Sequence, residues 1–236
     1  MRNSLTIARK EFKSYLASPM AYVVTGIFLV LTGVFFAISS STYLETSISG
    51  FLNTGSIILL LLVAVLTMRL IAEERKLGTI ELLLTAPVRD SEIILGKFLG
   101  SLGILTVMLA LTFYYPLLLM IFGDPDIGAI GTGYLGIFLL GTACLAVGLF
   151  ASSLTSNQIV SAVVAGGILF ALWFIGAAAG YLPEKLGEVI NYFSLSYYFP
   201  AFARGIIDTR GLIYYLSITA LFLFLAIRSL ENSRWS

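Results

Sequence analysis

The sequence contains no histidine, and this absence excludes much of enzyme chemistry. Without an imidazole the chain cannot build a histidine-based catalytic triad, an HExxH zinc site or a histidine-dependent intramembrane protease. A phosphate-binding loop of the form G-x-x-x-x-G-K-[ST] is missing as well. Gly96 and Lys97 form the only Gly-Lys pair. Phe98 follows that pair instead of serine or threonine, and Ser91 stands where the first glycine would be. The chain therefore has no nucleotide-binding loop of this type.

Charge and cysteine are also scarce. Only 11% of the 236 residues are charged and 58% are hydrophobic, whereas soluble domains carry about 25% charged residues. The single cysteine, Cys144, cannot form an intrachain disulfide and is interpreted as a small buried side chain. A net charge of +1 gives no support for a nucleic-acid partner. This composition predicts an all-α integral membrane protein.

Runs without charge locate the membrane spans. A spanning helix needs about 20 apolar residues, and a charge at the bilayer centre costs about 2.5–3.5 kcal/mol. The longest run, residues 127–183, is too long for one helix and divides at the polar stretch 152–158. The sequence therefore predicts one transmembrane domain over residues 1–236 with six spans, near 20–40, 55–72, 93–122, 132–151, 159–180 and 211–228.

Lysine and arginine are distributed unevenly over the predicted loops. With the N-terminus in the cytoplasm, 11 of the 14 basic residues lie on the cytoplasmic side, as the positive-inside rule requires. These are Arg2, Arg9, Lys10, Lys13, Arg69, Arg75, Lys76, Arg89, Lys97, Arg228 and Arg234. We therefore expect a multi-pass protein of the plasma (inner) membrane with both termini in the cytoplasm.

Residues 1–18 precede the first span and are predicted to form an elbow helix in the cytoplasmic interface. At helical spacing five apolar residues share one face: Leu5, Ala8, Phe12, Tyr15 and Leu16. Ile7 lies off this face, Arg9 is at its edge and Lys13 is further round. We select Leu5, Phe12, Lys13 and Leu16 as the residues of this elbow helix. A juxtamembrane topology anchor without further function is the alternative.

The loop from Arg69 to Lys97, between spans 2 and 3, is the most charged part of the chain. Residues 78–87 are predicted to form a short helix, since Gly78 permits a turn, Thr79 can cap the first amides and Pro87 ends the helix. A partner could hold such a helix and move both spans. A solvated loop that only sets topology is the alternative. The candidate coupling residues are Glu73, Glu74, Arg75, Gly78, Thr79, Glu81, Leu82, Leu83 and Pro87.

The run EERKLGTIELLLTAPV, residues 73–88, resembles the signature of ABC-2 type transporter permeases. It most resembles the branch with the gliding-motility-associated permease subunit and the copper-processing permease of nitrous oxide reductase clusters. The stretches ASSLTSNQ, 151–158, and FARGIID, 202–208, agree with the same family. The resemblance implies an elbow helix before span 1, a coupling helix between spans 2 and 3, and short external helices between spans 5 and 6.

The same resemblance implies partners. It implies two permease subunits per transporter, here a homodimer, and a separate cytoplasmic ATPase dimer that holds ATP and Mg. An auxiliary membrane protein would be a further partner in the gliding-type branch. For the chain itself we expect no enzymatic activity, cofactor or metal site.

Aromatic residues cluster in two places, around Pro116 and in the predicted external segment 181–210. Proline kinks a helix, and the apolar part of the segment is too short to span. A substrate pathway or external gate is one interpretation, and an interfacial aromatic belt is the other. The candidate gate residues are Tyr114, Tyr115, Tyr197, Tyr198 and Phe202.

The leading functional interpretation is the permease subunit of an ABC-2 exporter, driven by a separate ATPase. A non-transporting scaffold of an ABC-type assembly or motility complex stays open as an alternative. A secondary transporter is disfavoured, because such proteins bind their coupling ion at ionisable groups in mid-membrane. Here Arg69, Lys97 and Arg228 fall at the ends of predicted spans. No pattern in the sequence identifies the substrate.

Overall fold

The computed structural model describes residues 2–43, 49–80, 88–123 and 125–232. Within these ranges the chain is helical and has no strand. Eleven helices are described in chain order: α1 Arg2–Ala17, α2 Pro19–Tyr43, α3 Ser49–Thr67, α4 Ala72–Lys76, α5 Asp90–Leu111, α6 Tyr114–Phe122, α7 Ile127–Ser153, α8 Gln158–Ala179, α9 Glu184–Tyr192, α10 Leu195–Ala203 and α11 Thr209–Asn232.

Within the described ranges, six helical segments are long and apolar enough to cross a membrane, which confirms the predicted number of spans. They are Pro19–Ile38, Ser49–Lys76, Asp90–Ile121, Ile127–Ser153, Gln158–Ala179 and Thr209–Asn232, with mean hydropathies between 1.8 and 2.4. The second span begins at Ser49, earlier than the predicted residue 55. Polar residues are accommodated in its first turns, where the Ser56 hydroxyl donates to the Asn53 carbonyl at 2.7 Å.

α7 is the central helix of the bundle. In its most apolar stretch 83% of the residues are buried, against 22% for the first, fifth and sixth spans. Its glycines let neighbouring helices approach closely. Inside a bilayer there is no hydrophobic driving force between helices, so the van der Waals contacts of such close packing stabilise the bundle. A Cβ atom at Gly148 would overlap the Thr67 side chain of α3, and one at Gly136 would lie 2.5 Å from Phe202 Cβ. Cys144 is completely buried in this helix.

The third span is broken between α5 and α6, at residues 112–113. Pro116 has no N–H to donate to the carbonyl of Thr112, which lies four residues earlier. The Tyr134 hydroxyl of α7 donates to that carbonyl at 2.9 Å and lies 3.0 Å from the Thr112 hydroxyl. The sequence predicts a kink at Pro116, and the span is interrupted there. The Thr112 carbonyl accepts from the Tyr115 amide at 3.0 Å and from the Tyr134 side chain of the neighbouring span.

The bundle has two chemically different ends. The charged end comprises α1 and residues 18–19, 67–80, 90–97, 152–158 and 228–232. Hydrogen bonds join these segments, such as Arg69 to Ser18 and Ser229 to the Ser153 carbonyl. The aromatic end comprises α9, α10 and the start of α11, where the Tyr214 hydroxyl donates to the Phe193 carbonyl at 2.6 Å. The stretch 152–158 thus shares an end with the loop between spans 2 and 3, as span parity alone predicted.

Candidate functional site

α1 lies against the first half of α5 along three glycines. A Cβ atom at Gly96 would lie 2.6 Å from Ile7 Cβ, and one at Gly100 would lie 2.6 Å from Glu11 Cβ. Glycine permits this approach because it has no side chain. Three contacts define the interface: Ile7 over Gly96, Glu11 over Gly100 and Phe12 over Gly103. The first helix is therefore fixed to the third span by shape.

The side of α1 that packs on the bundle coincides only in part with the predicted apolar face. Ile7, which falls off that face, makes one of the glycine contacts. From the predicted face, Ala8 and Tyr15 are buried, whereas the four selected elbow residues are half-buried or exposed: Leu5, Phe12, Lys13 and Leu16. Apolar periodicity alone cannot identify the contact, because the glycine surface selects side chains by fit.

A group of three charges, in which Lys97 is buried and the two glutamates are half-buried, joins α1, α4 and α5. Lys97 Nζ lies 2.9 Å from Glu11 Oε1 and 2.9 Å from Glu74 Oε1. The side-chain exposures are 3% for Lys97, 15% for Glu11 and 19% for Glu74. Burying charge costs several kcal/mol per ion unless each ion is paired, so the three side chains depend on one another. A displacement of α4 would therefore also shift α1 and the third span.

Arg69 ties the end of the second span to the junction between α1 and α2. Its Nη1 donates to Ser18 Oγ at 2.6 Å, and its guanidinium lies 4.6 Å from the centroid of the Tyr15 ring. The Tyr15 hydroxyl donates to the Leu66 carbonyl at 2.9 Å. Burial, the largest cause, raises the pKa of Tyr15 well above its ordinary value, so this hydroxyl remains a donor.

Ser152, in the last turn of α7, caps the start of α4. Its hydroxyl oxygen accepts hydrogen bonds from the Ile71 and Ala72 amides, both at 3.0 Å, and donates to the Met68 carbonyl at 3.2 Å. The first amides of a helix have no intrahelical acceptor, and such a cap contributes about 0.5–2 kcal/mol. The stretch 151–158 thus holds the segment that leads into the predicted coupling loop.

Gly78 ends α4 with φ 69°, in the left-handed region where glycine is favoured. The Thr79 hydroxyl donates back to the Glu74 carbonyl at 3.3 Å. Ile80 and Val88 both pack against the core from the two sides of the loop. Four predicted coupling residues lie outside the described residues: Glu81, Leu82, Leu83 and Pro87.

The other predicted coupling residues sit on α4. Glu73 and Arg75 are half-buried, and Glu74 joins the charge group. Glu74 Oε2 and Arg75 Nε are buried and have no hydrogen-bond partner among the described residues. Beside α4, Lys76 and residues 156–159 line a hollow of about 440 Å³ that is partly polar. This end of the bundle therefore combines a rigid, charged rim with a recess.

The candidate gate residues fall into two groups by burial. Tyr114 and Tyr197 are 60% and 54% exposed, whereas the other three are buried between helices. Tyr115 donates its hydroxyl hydrogen bond to the Leu29 carbonyl at 2.7 Å, and Phe202 packs over Gly136 and Gly211. The buried side chains hold helices together in this protomer, and a role in a substrate pathway stays a prediction.

Four residues that build the charged end are absent from the predicted site: Glu11, Arg69, Lys97 and Ser152. Arg69 and Lys97 were interpreted only as topology markers. The glycine spacing 96, 100 and 103 is the sequence signal for a helix contact on α5. Lys97 adjoins that contact, so burial of its ammonium group, and hence a carboxylate partner, could have been expected.

The glycine contact can be tested with Gly100→Leu, which should lift α1 from α5 because the new side chain would occupy the position of Glu11. Amide hydrogen exchange in α1 should then rise by about tenfold or more, as its protecting contacts are lost. Gly26→Leu is the matched control, since a Cβ at Gly26 meets nothing within 4 Å. Equal exchange in the two variants would contradict the described packing.

The structure thus contains an N-terminal helix, six candidate spans and a loop held at both sides, in one connected bundle. A family described as ABC-2 family transporter protein matches residues 5–229, which include nearly all of these elements. No curated protein matches the chain. On the extent of the family match, the chain belongs to the ABC-2 transporter family and is a membrane permease of the ABC transporter type.

Proposed function

We propose that a separate ATPase dimer drives this permease from the charged end of the bundle, and that this end lies in the cytoplasm. One observation carries the proposal. The ion group of Glu11, Lys97 and Glu74 joins α1, α4 and the third span at 2.9 Å contacts. α4 and the third span flank the loop 77–89, and the ion group joins α1 to both of them. A force applied to that loop would reach two spans and the N-terminal helix together.

The construction of the loop supports this mechanism. Ser152 holds the start of α4, Gly78 turns the chain, and Ile80 and Val88 anchor the two sides of the loop in the core. A free topology loop would need none of these contacts. The hollow beside Lys76 offers a neighbouring surface for the same partner.

The proposal also includes the orientation of the chain in the membrane and the assembly of its subunits. The excess of lysine and arginine at the charged end supports a cytoplasmic location for both termini. Two copies of the chain would form the membrane unit, and α9 and α10 would then lie on the external side. We propose export as the direction and the gliding-motility-type branch as the subgroup, on the resemblance of residues 73–88, 151–158 and 202–208. An auxiliary membrane protein would then be a further partner, and ATP and Mg would be bound by the ATPase.

The test is co-purification with the cognate ATPase and measurement of its activity. Glu81→Ala, Leu82→Ala and Leu83→Ala in one chain should weaken binding of the ATPase by about 30-fold or more, since truncating an interface anchor costs about 2 kcal/mol or more. The permease alone should keep its thermal stability and should not hydrolyse ATP.

A matched triple variant provides the control. Leu186→Ala, Glu188→Ala and Val189→Ala also remove one acidic and two aliphatic side chains, all exposed on α9 at the aromatic end. This control should leave ATPase binding unchanged. If the loop variant binds the ATPase as well as the control does, the loop is only a connector. ATPase stimulation in proteoliposomes without solute movement would favour the scaffold alternative.

A further inference from the structure

α1 presents an exposed surface on which only basic charges remain. The helix contains one acidic residue, Glu11, and that carboxylate is turned inward to Lys97. Arg9, Lys10 and Lys13 are exposed, and no hydrogen bond or ion pair joins their side chains to the described residues. The internal ion group therefore removes the negative charge that would otherwise balance this surface.

The basic surface borders exposed apolar side chains on the same helix. Leu5 is 69% exposed and Leu16 is 41% exposed. With 3.6 residues per turn, Arg9 lies about 20° and Lys13 about 60° from Leu16 around the helix axis. Lys10 is about 120° from Leu16. Arg9 and Lys13 thus lie nearest to the apolar stripe, and Lys10 is the basic residue farthest from it.

An apolar crevice continues from this stripe, where α1 meets the first and third spans. Six residues that line it are Leu16, Ala21, Tyr22, Thr25, Ile104 and Val107. The Tyr22 hydroxyl is bonded to the Leu16 carbonyl at 2.6 Å, so the polar atom at its mouth is satisfied. A narrow apolar slot that begins at Leu16, on the same helix as two basic side chains, matches an amphiphile with an anionic head and a hydrocarbon chain.

We propose that this surface binds one anionic phospholipid of the surrounding bilayer. The phosphate lies between Arg9 and Lys13, and one acyl chain enters the crevice between α2 and α5. Charge complementarity favours this occupant over a zwitterionic lipid, because each basic residue close to an anionic lipid surface raises affinity roughly fivefold. The site adjoins Arg69 and Tyr15, so the bound lipid stabilises the junction between α1 and the spans. It does not depend on the ATPase or on the orientation of the protein.

Native mass spectrometry of the purified full chain tests the proposal, with phosphatidylglycerol and phosphatidylcholine of identical acyl chains as probes. The unaltered chain should retain one phosphatidylglycerol per chain with a preference of about tenfold or more over phosphatidylcholine. Arg9→Gln with Lys13→Gln should reduce this preference to near unity. Lys10→Gln with Lys185→Gln should keep it, although the net charge changes equally.

Two further measurements test the apolar crevice and the anion contact separately. Val107→Trp fills the crevice and should reduce retention of both lipids, without changing the preference between them. Inorganic phosphate should fail to displace phosphatidylglycerol at equal concentration, because it has no acyl chain. Displacement by phosphate would show an anion site and overturn the lipid assignment. The same preference in the two paired glutamine variants would also overturn the proposal.

Discussion

Lys97→Met should destabilise the permease by about 3–5 kcal/mol, because it leaves the carboxylates of Glu11 and Glu74 buried together without their cation. The methionine side chain fills much of the same volume, so the loss would report charge and not a cavity. The measurement is the midpoint of thermal or denaturant unfolding in detergent. Lys185→Met, at an exposed position in the predicted external segment, is the control and should change stability by less than about 0.5 kcal/mol.

A variant in which the whole ion group is neutral distinguishes an effect on stability from an effect on the coupling to the ATPase. Glu11→Gln and Glu74→Gln added to Lys97→Met should recover most of the lost stability, since uncharged side chains of similar size replace a buried ion group at little cost. ATPase-driven function should stay low, because the connection from α4 to α1 would be weakened. If Lys97→Met were no less stable than Lys185→Met, the buried ion group would not hold the charged end together.

Gly148→Val should damage the protein from inside the bundle. A Cβ at this position overlaps the side chain of Thr67, whose hydroxyl donates to the Val63 carbonyl at 2.8 Å. α3 and α7 would have to separate, and overpacking of this kind costs about 1–3 kcal/mol. Ser152 lies one turn further along α7, so its cap on α4, worth about 0.5–2 kcal/mol, should be lost as well. We therefore expect lower unfolding stability together with weaker ATPase stimulation.

Gly167→Val is the matched control for this change. It is an exposed glycine of a spanning helix, and a Cβ there meets nothing within 4 Å. The double variant Gly148→Ala with Thr67→Gly places the larger residue on α7 and the glycine on α3. It should therefore restore part of the stability. Equal stabilities of the two valine variants would mean that α3 and α7 do not approach as closely as described.

Hydropathy was sufficient to predict the architecture. Six spans follow from charge-free runs, because the cost of placing a charge in hydrocarbon is large compared with the contacts that set helix packing. Two local features also followed from backbone chemistry alone. Pro116 predicted a kink in the third span, which is interrupted there, and Gly78 predicted the turn, which has a left-handed φ of 69°.

Contacts between segments distant in the sequence could not be predicted in the same way. Lys97 and Glu11 are 86 residues apart, and Ser152 is about 80 residues from the amides that it caps. Nothing local indicates such partners. The glycine contact of α1 depends on the shape of α5, and Tyr134 finds the freed carbonyl only once two spans are packed. The candidate site could therefore be located at one end of the bundle, but its internal connections could not.

The position of Cys144 has a practical consequence for the unfolding measurements above. The only thiol in the chain sits fully buried in the central helix, surrounded by the other spans. A maleimide dye that becomes fluorescent on reaction would thus not react with the native fold. Its fluorescence would rise when unfolding exposes the thiol. The permease carries its own unfolding probe at a fully buried position, and no engineered label is required.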